Sequence, residues 1–362
     1  MAKKSSGGGA LRTVGHILIL LLVTILMLAV FLLAVMGILI HGPSSEARSL
    51  FVQTVDETSA LKFIPHIYLS NASVDAILNP KDAFGNPLPT IEPFTELPYE
   101  SGSSGQTVDP QDPVSQGPTQ PENPSSTAIS PDGEWIEVQD VKGSTFKGKL
   151  MIVRDPSKVI VGTLDAYGAA YHGLYLYEFL EKYDAIGGTN AGGFYDPGGG
   201  GNGGIPDGLV IRDGAIAYGY PDNWYINVIG FDANNRLHVG DMYGQQALDL
   251  GLTSAVSFTP GPVLIQDGVM RTGLGGGLNP RTCIGQTADG TVLLLVLEGR
   301  KPDSLGATYD DIAQLMYNFG AVNAANLDGG SSSLMYYNGE QITRGSNLIG
   351  MRQMATAILV LK

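Results

Sequence analysis

The sequence predicts a mixed α/β fold with largely antiparallel sheets and a few flanking helices, built as a single C-terminal globular domain behind an N-terminal transmembrane helix. Three observations predict it. A long uncharged run lies near the N-terminus, a proline-rich stretch separates it from the remainder, and four Asp-Gly or Asn-Gly pairs each stand between strand-like residues.

The uncharged run is Ile17 to Ile40, 24 residues. At about 1.5 Å per residue it reaches roughly 36 Å, enough for a hydrocarbon core of about 30 Å. A cleaved signal peptide would carry a shorter apolar core, about 7–15 residues, and a clear small-x-small site, which "MGILIHGPSSEARS" lacks. Lys3, Lys4 and Arg12 precede the run with no acid among them, so residues 1–16 are expected in the cytoplasm. Everything after His41 is then expected outside a plasma membrane crossed once.

Residues 41–79 read as a juxtamembrane stalk, with Leu50, Phe51, Val55 and Leu61 near helical spacing. Residues 80–133 hold eleven of the 21 prolines among Ser, Gly, Gln and Asp; that composition cannot bury enough apolar surface to fold and reads as a disordered linker. Residues 134–362 return to the composition of a folded domain. The formal charge is −14, and three of the cations sit in the first 16 residues, so the body is strongly acidic and nucleic acid is not an expected partner. Cys283 is the only cysteine, which excludes an internal disulfide and a Cys-rich zinc site.

Within 134–362 the pairs in "LVIRDGAIAYG", "VLIQDGVM", "GQTADGTVLLLVL" and "LMYYNGEQI" predict hairpins, because both turn residues tolerate positive φ. Helices are predicted in "YHGLYLYEFLEKY" and in "ATYDDIAQLMYNFG", where Thr308 and Asp311 have capping-box spacing and Gly320 stops the run. Each leads into a short apolar strand, one ending at Asn190 and the other at Leu327.

Four clusters then join polar groups to glycines that admit a ligand to the backbone: Asn190 with Gly192 and Gly193, Arg281 in "NPRTCIG", Glu298 with Arg300 in "LEGR", and Asn326, Asp328, Gly329, Gly330, Ser331 and Ser332 in "NLDGGSSS". Glu298 follows "TVLLLVL", a run apolar on both faces, and Asp328 follows "AVNAANL". A carboxylate at the end of a buried strand is costly unless it is partnered or opens to a cleft. Singly, each cluster is a common turn or surface feature.

The order "NAGGFYD", "IPDGLVIRDG", "GPVLIQDG", "NPRTCIG", "DGTVLLLVLEGR", "ANLDGGSSSLMYYNG" and "RQMATAILV" resembles the phosphodiester glycosidase domain family, over Ile136 to Lys362. The resemblance implies hydrolysis of the bond between a sugar's anomeric carbon and a phosphate esterified on its other side. The names of bacterial relatives imply a role in exopolysaccharide or cell-envelope glycan metabolism. By position, Asn190 matches the family's Asn-Gly-Gly-Phe element with Ala191 in place of Gly, Arg281 its Pro-Arg-Thr element, and Asp328 its Asn-Leu-Asp-Gly-Gly element. Glu298 stands where many members have Asp.

On that reading Asp328, Glu298, Arg281 and Asn190 are the catalytic residues. Gly192, Gly193, Arg300, Asn326, Gly329, Gly330, Ser331 and Ser332 bind substrate. Arg281 would hold the phosphodiester charge through paired donors, and a carboxylate would act as nucleophile or as base for water; which of Glu298 and Asp328 does so stays open. The partners are a sugar phosphate or glycan substrate and the membrane. No cofactor is expected; Asp196, Asn202 and Asp207 could hold calcium, though without EF-hand spacing. The loop "YDPGGGGNGGIPDG" lacks the lysine of a P-loop and reads as a mobile flap over the site. Alternatives are a phosphodiesterase cutting the P–O bond and a non-catalytic binder of anionic glycans.

Overall fold

The computed structural model describes residues 7–58, 61–79, 134–222, 225–259, 261–346 and 350–362. The linker expected at 80–133 and the start of the expected tail lie outside them. The chain divides into two compact units, at Leu78.

In the first unit, α1 (Gly7–His41) starts ten residues before the uncharged run, and its Thr13–His41 portion, 29 residues, is long and apolar enough to cross a membrane. Three short helices follow: α2 (Ser45–Asp56), α3 (Pro65–Tyr68) and α4 (Asn71–Leu78). The Ser44 hydroxyl accepts from the N–H of Ala47 and caps α2. Ile40, Val52, Val55, Ile64 and Val74 are buried together, so the expected stalk is a small helical cap.

The second unit opens with β1 (Ile136–Lys142), β2 (Lys147–Val153), β3 (Val159–Thr163), α5 (Leu176–Lys182) and β4 (Ala185–Asn190). Then come β5 (Val210–Arg212), β6 (Ala215–Tyr218), β7 (Ile226–Asp232), β8 (Leu237–Met242), α6 (Gly244–Asp249), β9 (Leu252–Ser257), β10 (Val263–Gln266) and β11 (Val269–Met270). The last third holds β12 (Arg281–Thr287), β13 (Val292–Leu297), α7 (Tyr309–Asn318), β14 (Ala321–Asn326), β15 (Met335–Tyr337), β16 (Glu340–Gln341) and β17 (Thr356–Leu361).

Among the described residues these strands form three sheets, ordered β1-β2-β13-β12-β14-β10-β11, β16-β15-β4-β17-β3 and β6-β5-β9-β7-β8. Every pairing within them is antiparallel. All four predicted hairpins are present, with Asp213, Asp267 and Asn338 at positive φ. Two further hairpins, β1–β2 and β7–β8, and helix α6 carry no such pair and were not predicted.

One core collects side chains from all three sheets, among them Met151, Val161, Ile229, Val256, Ile284, Leu294, Met335 and Ile358. The opposite face of the largest sheet buries Leu150, Cys283, Leu293, Leu295 and Leu297 against Ile312 and Met316 of α7. Strand β13 is therefore apolar on both faces because both faces are covered. Helix α7 starts on the predicted capping box: the Thr308 N–H and hydroxyl both donate to the Asp311 carboxylate, and the Asp311 N–H donates back to the hydroxyl.

Register places the candidate residues. Arg281 opens β12 opposite Leu297 of β13, so Glu298 leaves the sheet at the same end; β14 runs antiparallel to β12 and delivers Asp328 there too. In the second sheet Asn190 ends β4 opposite Ala357 of β17, just after Arg352.

Candidate active site

Asn190 is the clasp that joins these strand ends. Its Nδ2 donates to the Asp328 carbonyl at 2.6 Å, while its Oδ1 accepts from the Thr282 hydroxyl at 2.8 Å and the Leu334 N–H at 3.2 Å. The Asp328 N–H donates to the Ala191 carbonyl at 2.9 Å. Two sheets are thereby locked at the residue preceding the Gly-Gly-Ser turn. Asn190 is 1% exposed, so it positions Asp328; the expectation that it is itself a catalytic residue is corrected by that burial.

The Asp328 carboxyl is pushed up to about 6, chiefly by burial. Hydrogen bonds from the Ser332 hydroxyl and the Gly329 N–H and the charge of Arg352 act in the opposite sense, and the charge of Asp196 adds to the rise. The residue itself is half-buried, so part of it reaches solvent.

Arg352 was missed as a site residue, and Asp196 was singled out only as a possible calcium ligand. Arg352 Nη1 and Nη2 meet Asp196 Oδ2 and Oδ1 at 2.7 and 2.6 Å in a paired-donor ion pair, and Nη1 also reaches Ser331 Oγ at 3.2 Å. The guanidinium lies 4.8 Å from the centre of the Phe194 ring. Burial raises the Asp196 carboxyl, but the bonds from Arg352 and the Gly201 N–H outweigh it and hold the group below its ordinary value. Two carboxyls beside one arginine are thus driven in opposite directions. Their signals were in the sequence, Arg352 in "RQMATAILV" and Asp196 in the glycine loop, but neither reveals the other.

That loop is less free than a flap. The Gly201 N–H donates to Asp196, the Gly204 N–H to Asn202 Oδ1, and the carbonyls of Asn202 and Gly204 accept from Gly173 and Gly168. Only Tyr195 and the loop's tip at Pro197–Gly200 are exposed. Among the described residues no three His, Cys, Asp or Glu side chains gather in a metal-holding group.

Other expected ligands are occupied elsewhere. Arg281 is 3% exposed, and its Nε and Nη2 donate to the carbonyls of Ala307 and Gly277 at 3.0 and 2.7 Å while its guanidinium covers Tyr309. It braces the loops, with these donors turned to backbone carbonyls where donors turned to an anion were expected; nothing in "NPRTCIG" shows which way so long a side chain turns. Glu298 is held by the Arg344 N–H and guanidinium at 2.8 and 2.6 Å. Gly192 and Gly193 are packing glycines, since a Cβ on either would come within 2.8 Å of Ser257 or Phe258. The N–H of Gly330 donates to Pro280, and that of Gly329 faces Asp328's own carboxyl. Asn326 is fully buried and bonded to the Leu327 carbonyl.

Like Arg344 beside Glu298, Arg300 is an exposed cation at this end. Its backbone sits at φ 57, its Nε and Nη2 donate to Asn279 Oδ1, and Nη2 lies 3.3 Å from the place of a Gly330 Cβ. A side chain at position 330 would crowd it. A cleft of about 560 Å³ borders Asp196 and is lined by Phe194, Tyr195, Asp207 and Tyr218, with the Asp207 carboxyl raised by burial despite the opposing Thr259 N–H. A larger one of about 720 Å³, beside His172 and Lys182, contains no candidate residue, so continuity with Asp196 favours the smaller cleft.

Fold and site define a mixed α/β domain of antiparallel sheets that carries carboxylates and arginines at its strand ends. The phosphodiester glycosidase family model matches residues 183–361, within the span over which the order of motifs resembles that family. The catalytic domain of zebrafish N-acetylglucosamine-1-phosphodiester alpha-N-acetylglucosaminidase, auto-inhibited by its pro-peptide, superposes with a TM-score of 0.52 at 19% identity, over 65% of this chain and 86% of that one. Such identity shows a shared fold. The SPbeta prophage-derived uncharacterized protein YomE of Bacillus subtilis (strain 168) is 33% identical over 152 residues, 39% of this chain; the chain spans less than a quarter of that relative, at 23%.

Proposed function

We propose that the C-terminal domain hydrolyses the C1–O bond of a sugar 1-phosphodiester, with Asp328 as the base that activates water. The supporting observation is the Asp328 carboxyl, raised to about 6 by burial and set between the Arg352–Asp196 pair and the Gly-Gly-Ser turn. Above that pH the group is ionised and able to take a proton, while its poor solvation keeps it a stronger base than a surface aspartate. Water attacks C1 and gives its proton to Asp328. The C1–O electron pair leaves with the phosphate, which departs as a monoester without full protonation.

Arg300, exposed beside Gly330, suits the non-bridging phosphate oxygens, the role expected of Arg281. Arg352 holds Asp196 ionised and orients Ser331. Glu298, saturated by Arg344, serves the architecture of this strand end, which favours Asp328 as the reacting carboxylate. The apolar helix α1 supports a membrane-anchored enzyme, and the basic residues before it support a cytoplasmic N-terminus with the catalytic domain outside, acting on exopolysaccharide or envelope glycan.

Incubation with a panel of sugar 1-phosphodiesters, nucleotide sugars among them, tests the proposal by its products. Free sugar and a phosphomonoester are expected. Release of sugar 1-phosphate would assign P–O cleavage, and binding without turnover would leave a glycan-binding module.

A further inference from the structure

We propose that residues 61–68 of the N-terminal cap lie within the lipid headgroup and upper acyl region of the bilayer that α1 crosses, making the cap a second membrane contact. The inference rests on reading α1 as an anchor. The Tyr68 hydroxyl donates to the carbonyl of Leu33 at 2.9 Å, so the segment folds back alongside the last turns of α1. Gly37 lies against the same tyrosine ring, at 3.7 Å from the place of its Cβ.

That contact fixes depth. Leu33 stands about 7 Å from the middle of the uncharged run at about 1.5 Å per residue, hence about 8 Å inside the edge of a hydrocarbon core about 30 Å thick. Helices that lie in a membrane interface bury their apolar faces about 5–10 Å deep, and tyrosine is a residue of that zone. A hydroxyl at such a depth has no water to bond, and a backbone carbonyl supplies its partner.

Composition agrees with depth. Ile64 and Pro65 turn inward onto the cap's small core, whereas Leu61, Phe63 and Ile67 point outward with 42, 61 and 55% of their surface exposed. They extend the apolar surface of α1, whose Leu32 and Ile38 are 46 and 71% exposed. No acid occurs from Thr58 to Val74; of the two basic residues beside these side chains, Lys62 has a stem long enough to lift its ammonium to the phosphates, and the His66 ring bonds the Asn71 side chain at 2.9 Å. This continuity with the surface of α1 identifies lipid, and not a second copy of the chain, as the cover.

The full chain is reconstituted in phosphatidylcholine vesicles after single substitutions Leu22→Cys, Phe63→Cys, Ile67→Cys and Asp249→Cys, each carrying a nitroxide; buried Cys283 leaves the parent as the unlabelled blank. The accessible residues replaced contribute little packing, and two positions in the cap guard against one variant misfolding. The readout is the accessibility of each nitroxide to oxygen relative to a water-soluble nickel complex. Expected is an oxygen-dominated ratio at 22, 63 and 67 and a nickel-dominated one at 249. A lipid signal at 22 with water-like signals at 63 and 67 overturns the inference and leaves the anchor standing. Shielding from both reagents at 63 and 67 overturns it in favour of contact between copies. A water-like signal at 22 removes the anchor and the inference together.

Discussion

Replacing Asp328 with Asn removes the charge that burial opposes while keeping the side chain's shape. The carboxyl titrates at about 6, some two pH units above an ordinary aspartate, and at about 1.4 kcal/mol per unit the ionised form is disfavoured in the folded state by about 3 kcal/mol. Between about pH 4 and 6 the folded state therefore binds more protons than the unfolded state, and stability falls as pH rises through that window. Asn does not titrate. The variant should match the parent near pH 4 and exceed it by up to about 3 kcal/mol at pH 7.5, an upper limit because the residue is half-buried and the amide accepts fewer hydrogen bonds. Urea unfolding of the detergent-solubilised full chain at both pH values measures the difference, and turnover of a sugar 1-phosphodiester should be lost throughout. Equal pH slopes for variant and parent, or a variant less stable at pH 7.5, would refute the claim that a poorly solvated charge sits at this position.

In the parent, kcat should rise with pH through about 6 and level off, as a pH-rate profile on a nucleotide sugar would show; a fall with rising pH would make Asp328 an acid instead. Arg352→Ala strands Asp196 and should cost about 2–4 kcal/mol in stability as well as most activity, measured by unfolding and by kcat/KM, because breaking a largely buried pair leaves a carboxylate uncompensated. Arg300→Ala should raise KM roughly 10–100-fold, the worth of a charged hydrogen bond, and should also lower stability by about 1–3 kcal/mol because it removes two donors from the buried Asn279 Oδ1. Arg281→Met should lose about 2–4 kcal/mol in unfolding experiments while the folded fraction keeps its KM.

Local signals were the legible ones. Asp213-Gly214, Asp267-Gly268 and Asn338-Gly339 encode their hairpins within two residues, and Thr308 with Asp311 encodes a helix start within four, so neither needs knowledge of the rest of the chain. The run "VLLLVL" announced a strand covered on both sides, which β13 is. What failed were partners distant in sequence. Glu298 finds Arg344 46 residues later, Asp196 finds Arg352 156 residues later, and Arg281 turns to carbonyls of loops on either side of it. A long cationic side chain at a strand end can turn outward to an anion or inward to backbone oxygens, and packing alone decides. Asp328 was legible because its placement is a strand-end property, fixed by the apolar run before it.

Strand β17 pairs with β3 on one side and β4 on the other, although β3 precedes it by almost 200 residues. During synthesis the second sheet must therefore wait, its two inner edges bare, until nearly all of the domain has emerged. Arg352 arrives just ahead of that strand, so the charge partner of Asp196 is also among the last parts supplied. A chain broken off before Thr356 would lose the middle of a sheet, and no partial product would have the finished site. Assembly of the active centre is thus coupled to completion of the domain, and incomplete chains are left with adhesive edges that quality-control machinery can recognise.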